Sequence, residues 1–315
     1  MRRTITIVAS LGAVLLAIHP REAGAVPQQD RGRTASRAVS ASSIDTTFRM
    51  ERGGVVDLSV TFGTITVSGA SGSDVRVRAS AEDGTVRLRS SPTLASVRAS
   101  SDRGVARGVR YDVSVPAGVR VVMHTTTGDI TVSGVQGDIE VANVHGDIRL
   151  TNIAGLAKVE TVSGTVTATG LTGGARIEVT SSNVTVTGAE GDISVENTSG
   201  RTTLSDIRSR TVRAESVSGA VRFQGAVERS GRYDFSSHSG PIHLTLPPGT
   251  GALLSLSTYS GSIGSDFPIT LQQGSSDREE KELQFRLGDG SARISAESFS
   301  GNITITRGTG RDRQE

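Results

Sequence analysis

Carboxylates recur in this chain with a fixed neighbour. Glu160, Glu178, Glu196, Glu215 and Glu297 each stand four residues before a Gly or, once, a Ser, and Lys158, Arg176, Ser194 and Arg213 stand two residues before the first four of them. Two carboxylates can act as acid and base on a glycosidic bond when a cleft holds them at a defined separation. A uniform row, each member beside a cation, predicts something else: a solvated ribbon of alternating charge, in which cations offset the repulsion between glutamates stacked about 5 Å apart. Lys158, Glu160, Arg176, Glu178, Glu196, Arg213 and Glu215 are therefore the first candidate interaction face, suited to a polyanion or to the edge of a protein.

Other residue types test further chemistries. Asp129, Asp138, Asp147 and Asp192 each follow a Gly, which partly matches the nonapeptide calcium roll. The second Gly of that consensus is missing, and Leu156, Thr165 and Arg201 replace the Asp in other repeats. No metal is expected. His124, His145, His238 and His243 have no nucleophile or third ligand at a useful spacing, so no catalytic residue and no cofactor are expected either. Two residues before the aligned Gly the series runs Val144, Val162, Thr180, Thr198, Val217, His238, Tyr259, Phe299, with Phe267 near its bulky end. Tyr233, Phe235, Tyr259 and Phe299 form the second candidate surface, an aromatic patch for carbohydrate or protein. The competing expectation for these rings is a wider core that closes the stack.

The elements that position these residues are repeats. From Thr127 to Gly219 the chain reads as consecutive nonapeptides of two alternating kinds, giving a unit of 18 residues. The signature VETVSG, VENTSG, AESVSG and AESFSG aligns Gly128, Gly146, Gly164, Ser182, Gly200, Gly219, Gly240, Gly261 and Gly301 in chain order. Inside each nonapeptide the apolar period is two, as at Ile130, Val132 and Ile139, Val141, and β-branched residues dominate. Such short strands cannot bury a face alone; stacking each on its copy in the next turn does. The fold expected is all-β, a single-domain parallel β-solenoid (β-helix) with turns of about 18 residues. Parallel crossovers favour the right-handed form.

In chain order, residues 1–25 read as a signal peptide, with Arg2 and Arg3, an apolar run and Ala23-Gly24-Ala25. Residues 26–43 read as a disordered linker. The solenoid spans 44–306, with an irregular opening section at 44–122, regular turns at 123–306 and a charged insertion at 270–289 in which Phe285 tucks back. Residues 307–315 form a flexible tail. No membrane span is expected in the mature chain. Residues 1–25 hold Arg2, Arg3, Arg21 and Glu22, which leaves 31 basic and 31 acidic residues out of 34 and 32, and a balanced chain gives no reason to expect nucleic acid. There is no cysteine, so disulfides and thiolate metal sites are excluded.

The stretch VPAGVRVVMHTTTGDITVSG (115–134), the Gly turns after it and the variant LPPGTGALLSLSTYSGSI (246–263) resemble a bacterial putative-adhesin family of unknown function. They are also similar to the β-solenoid domains of autotransporter adhesin heads. The resemblance covers 44–306 and implies an exported, adhesin-like, non-catalytic module, periplasmic or at the cell surface. Its partner would be an envelope or surface glycan or protein, and self-association is a further expectation. The alternative is a periplasmic envelope scaffold; a polysaccharide-acting enzyme ranks third, since a stack of small turns offers no cleft.

Overall fold

Alternation changes phase twice per turn, once at each end of the turn, and that switch builds the architecture. In the strand Ala157–Leu171, Ala157, Val159 and Thr161 are buried, then Val166 and Ala168, with the change at Gly164. A strand whose inward set moves from odd to even positions has turned a corner and joined a second sheet. The structure, a computed structural model, describes residues 37–102, 104–268 and 281–308, which form 24 β-strands and no helix. They lie in one unit, 35–315.

The regular turns have two sides. On one, Ile139, Ala157, Ala175, Ile193 and Val212 pair in parallel register. On the other, Ile148, Val166, Val184, Thr202, Val221 and Ile242 do the same. The apolar side chains between the two sheets form one continuous core, with Leu58, Ile65, Met123, Leu150 and Phe223 among its fully buried members. Each such side chain removes about 1.5–3 kcal/mol worth of apolar surface from water. Stability is therefore spread along the stack.

The opening section joins the same two sheets. Val55–Ala70 makes a complete turn, pairing in parallel with Arg120–Thr127 and Ile130–Ser133. Leu94–Ser100 and Val109–Pro116 stack in parallel on its two halves. Antiparallel strands follow: Thr85–Ser90 and Arg37–Ala41 on one side, Asp74–Ser80 and Ser43–Arg49 on the other.

Three expectations are corrected. Residues 37–43 are not linker: Arg37–Ala41 is a strand whose Val39 sits opposite Leu88 and packs on the core. The signal peptide and residues 26–36 lie outside the described residues. Within the expected insertion, Lys281–Leu287 is a strand antiparallel to Ala252–Thr258, with Phe285 buried as expected. Residues 269–280, like 309–315 of the tail, lie outside the described set. Finally, the turns do not stack in chain order. The last turn, Ala292–Ser298 with Ile303–Arg307, pairs with Arg232–Ser237 and Ile242–Leu246 on one side and with Ala252–Thr258 and Ile263–Ser265 on the other. It is intercalated, so Gly301 and not Gly261 lies over Gly240.

One corner sets the spacing. At Gly146 φ is +133°, and a Cβ there would lie 2.2 Å from the carbonyl oxygen of Gly128 in the turn below. Three residues before each corner a polar side chain points inward: Thr125, Asn143, Thr161, Asn197, Ser216, Ser237, Ser298 and Thr258 are all buried, with Val179 in the one apolar rung. The Oγ atoms of Ser216, Ser237 and Ser298 accept hydrogen bonds from the N–H groups of Gly219, Gly240 and Gly301 at 2.8–2.9 Å. Asn143 Nδ2 donates to the carbonyls of Gly128 and Gly146. A buried backbone group needs such a partner: Ser or Thr supplies it at Gly219, Gly240, Gly261 and Gly301, whereas the N–H groups of Gly128 and Gly146 donate to the carbonyls of His145 and Ser163.

Candidate functional site at the glycine corner and the charged face

The residues just outside that corner are carried by the same ladder. The N–H groups of His238, Phe299 and Tyr259 donate to the carbonyls of Ser216, Ser237 and Ser298 at 3.0, 3.1 and 3.2 Å, so the three side chains leave the corner one rung apart. Their rings stack. His238 and Phe299 have centroids 4.9 Å apart and planes at 6°, and Phe299 and Tyr259 are 5.0 Å apart at 3°. Phe299 is 50% exposed and Tyr259 44%, and Val217 and Val162 continue the exposed column on earlier rungs. Aromatic pairs are worth about 0.5–1.5 kcal/mol beyond their buried area. The rings are thus held in place before any partner arrives.

Beside them runs a file of serines, Ser163, Ser181, Ser199, Ser218, Ser239, Ser300 and Ser260 in spatial order. The hydroxyls of Ser218, Ser239 and Ser300 donate to carbonyls one rung below. Neither file contains an Asp, Glu, Lys or Arg. The edge is an uncharged strip on a chain in which 21% of residues are charged.

Of the expected aromatic patch, Tyr259 and Phe299 lie together on this edge. Tyr233 and Phe235 do not: they are 0% and 2% exposed, inside the core against Phe223. Aligned on Gly240, they occupy the inward positions that Ala157 and Val159 hold below Gly164. The Tyr233 hydroxyl donates to the Ser209 carbonyl at 2.7 Å and accepts from the Glu228 N–H at 2.8 Å, and burial pushes its pKa up. His238 joins the edge stack. The corner alignment gives it that position in the sequence, and the stack shows its use.

The charged face stands as the spacing predicts. Glu160, Glu178, Glu196 and Glu215 lie in one register column, and Lys158, Arg176, Ser194 and Arg213 in the next. Lys158 bridges Glu160 at 2.7 Å and Glu140 at 3.4 Å, Arg176 bridges Glu178 at 2.8 Å, and Arg213 pairs with Glu215. Arg120 donates to Glu140 and, with Lys158, holds its carboxyl below the ordinary carboxylate value; the Glu160 hydrogen bond raises the Lys158 pKa. Glu196 has Ser194 where its neighbours have a cation. Apart from Glu196 these groups are already paired, and all the pairs are partly solvated, so the face has little unmet charge to offer.

The remaining chemical candidates serve the stack. Asp129, Asp138 and Asp147 each accept the N–H of a residue one turn on, Asp147, Leu156 and Thr165, at 2.8–2.9 Å. Asn183 and Asn302 do the same for Arg201 and Ser262. His243 is partly buried, which lowers its pKa, with Arg222 adding to the effect. Two shallow depressions lie on the opening layers; in one, Arg78 is bracketed by Asp45 and Asp112 at 3.7 and 3.6 Å. Among the described residues no three His, Asp or Glu side chains converge as metal ligands would.

Residues 173–306 match the Toastrack DUF4097 family. The resemblance expected from the sequence, to a family of unknown function, is met over that stretch, which contains the whole ring stack and the intercalated turn. The Toastrack match and the parallel ladder agree on an all-β, solenoid-like fold. None of the curated proteins matches the chain. Solved structures similar to it include the following two. One is a putative cell adhesion protein from Clostridium sporogenes ATCC 15579, at 8% identity and a TM-score of 0.25, over 84% of this chain and 100% of that one. The other is a putative adhesin from Bacteroides fragilis NCTC 9343, at 12% identity and a TM-score of 0.41, over 86% of this chain and 98% of that one.

Proposed function

We propose that this chain is an exported, non-catalytic, adhesin-like binding module, and that it holds a neutral glycan along the glycine-corner edge. The observation that carries this reading is the exposed stack of His238, Phe299 and Tyr259, fixed by backbone hydrogen bonds and flanked by serine hydroxyls on a strip without formal charge. Pyranose rings have apolar C–H faces ringed by hydroxyls, and a strip of aromatic carbon bordered by small hydroxyls complements both. Exposed aromatic area held rigid in advance costs little entropy on binding. The two files that make up the strip hold no Asp, Glu, Lys or Arg, so they give a polyanion or a basic protein few charged groups to pair with. The leader read in residues 1–25 supports export.

The way the acids are used supports the non-catalytic reading. Glu160, Glu178 and Glu215 on the charged face sit in ion pairs, and Asp129, Asp138 and Asp147 at the corners accept backbone N–H groups. The test is a glycan-array screen of the mature protein, repeated with the His238→Ala, Tyr259→Ala, Phe299→Ala triple variant. Neutral glycans should be retained by the wild type and lost by the variant, at unchanged circular dichroism. Retention of every hit by the variant would refute the assignment of the edge.

A further inference from the structure

Ala292–Arg307 fills a slot between the turn 232–246 and the turn 252–265, and its neighbours on both sides are parallel strands in full register. The chain enters the slot through Gly288-Asp289-Gly290, where φ is +51° and +68° at the two glycines. This short turn steps over the start of Ala252–Thr258, and Ser291 Oγ and Ala292 N donate to the carbonyl of Gly251.

Nothing in the slot is specific to its own chain. Its inward residues, Ala292, Ile294, Ala296, Ile303 and Ile305, follow the pattern of every other turn, and Ala296 is the small residue between Phe235 and Leu256. The same turn from another copy would make the same ladder, the same core contacts and the same corner bond from Gly301 N to Ser298 Oγ. Glycines are the residues that change backbone direction at least cost, so the hinge at 288–290 can open. Exchange of identical elements needs no new complementary surface.

We infer that Ala292–Arg307 is an exchangeable turn through which two copies of this chain associate, each filling the other's slot. The partner is a second copy of this chain, and the contact is strand insertion on both sheets. This goes beyond the glycan reading and does not depend on it. It also bears on it, because Phe299 travels with the turn: a swapped pair builds each ring stack from two chains and presents two edges to one polymer, with the avidity that linkage brings.

The chain has no cysteine, which makes a clean reporter available. Ser236 and Glu297 are direct register partners across the slot, within the reach a disulfide requires. Mature protein carrying Ser236→Cys is mixed with protein carrying Glu297→Cys at high concentration in mild urea, returned to buffer and oxidised. Exchange predicts a covalent dimer on a non-reducing gel, about tenfold above the yield from Ser236→Cys mixed with Glu160→Cys, because inside a swapped pair the two thiols react at millimolar effective concentration. Glu160 lies on the same face four turns away and reports chance collisions. A yield equal to that control overturns the proposal. The double variant in one chain must close within the chain as a monomer; its failure to do so overturns the slot register on which the proposal stands.

Discussion

Gly146→Ala is the sharpest test of how the turns are stacked. The added Cβ would meet the Gly128 carbonyl oxygen at 2.2 Å and its carbon at 2.6 Å, both backbone atoms that cannot swing aside, and the residue would have to keep φ at +133°. Holding a non-glycine residue in such a region costs about 1–3 kcal/mol, and overpacking a tight contact costs about 1–3 kcal/mol more. The expected loss is therefore roughly 2–6 kcal/mol, a large fraction of the 5–15 kcal/mol typical of a domain. Gly53→Ala separates the two terms: φ is +79° there, but nothing lies within 4 Å of the new Cβ. Urea denaturation followed by circular dichroism should place Gly146→Ala well below Gly53→Ala, and Gly53→Ala modestly below wild type. Equal midpoints for the two variants would refute the account of the corner as a backbone-on-backbone contact. Ser182 gives an internal check, since this member of the corner series carries a side chain and is not among the positive-φ residues.

Other perturbations read other parts of the structure. Ser237→Ala removes the 2.8 Å partner of the buried Gly240 N–H and should cost about 1–3 kcal/mol in the same assay. Tyr233→Phe strands the Glu228 N–H and the Ser209 carbonyl; a loss of about 1–2 kcal/mol is expected, with the apolar core otherwise intact. Glu140 titrates below its ordinary value of 4.5, chiefly because Arg120 and then Lys158 hydrogen-bond to it. Its folded pKa is depressed, so its contribution is complete above the unfolded value and is lost as pH falls through the folded one. Glu140→Gln should flatten the urea midpoint between pH 5 and pH 3, and change stability at pH 7 by under about 1 kcal/mol, less in high salt.

Much of this fold is written in the spacing. The 18-residue step, the period of two and the β-branched residues lead to the observed parallel register, and the Glu160 to Glu215 column falls where that register puts it. The candidate edge was only half legible. Tyr259 and Phe299 carry the corner offset and are exposed, whereas nearness in sequence wrongly added Tyr233 and Phe235, whose own offset from Gly240 points them inward. The hydroxyl or amide three residues before most corners is visible as a signature, but that Ser216, Ser237, Thr258 and Ser298 take the Gly N–H while Asn143 caps carbonyls needs the structure. The intercalated turn was not legible at all. Every turn carries the same inward pattern, so sequence alone cannot say which turn lies on which, and chain order is the natural but incorrect guess. The strand at 37–41 was hidden for a related reason: a polar, small-residue stretch gains its structure from pairing with Thr85–Ser90, not from any local periodicity.

Titration calorimetry of the mature protein with a neutral glycan taken from the array, for wild type, Phe299→Ala and Glu178→Gln, decides where the binding surface lies. Phe299 is the middle ring of the stack, and Glu178 sits on the charged face. At least a tenfold loss is expected for Phe299→Ala, since truncating an aromatic anchor at a contact costs about 2 kcal/mol or more, and wild-type affinity for Glu178→Gln. Full affinity in Phe299→Ala, or a loss confined to Glu178→Gln, would contradict it and move the binding surface to the charged face.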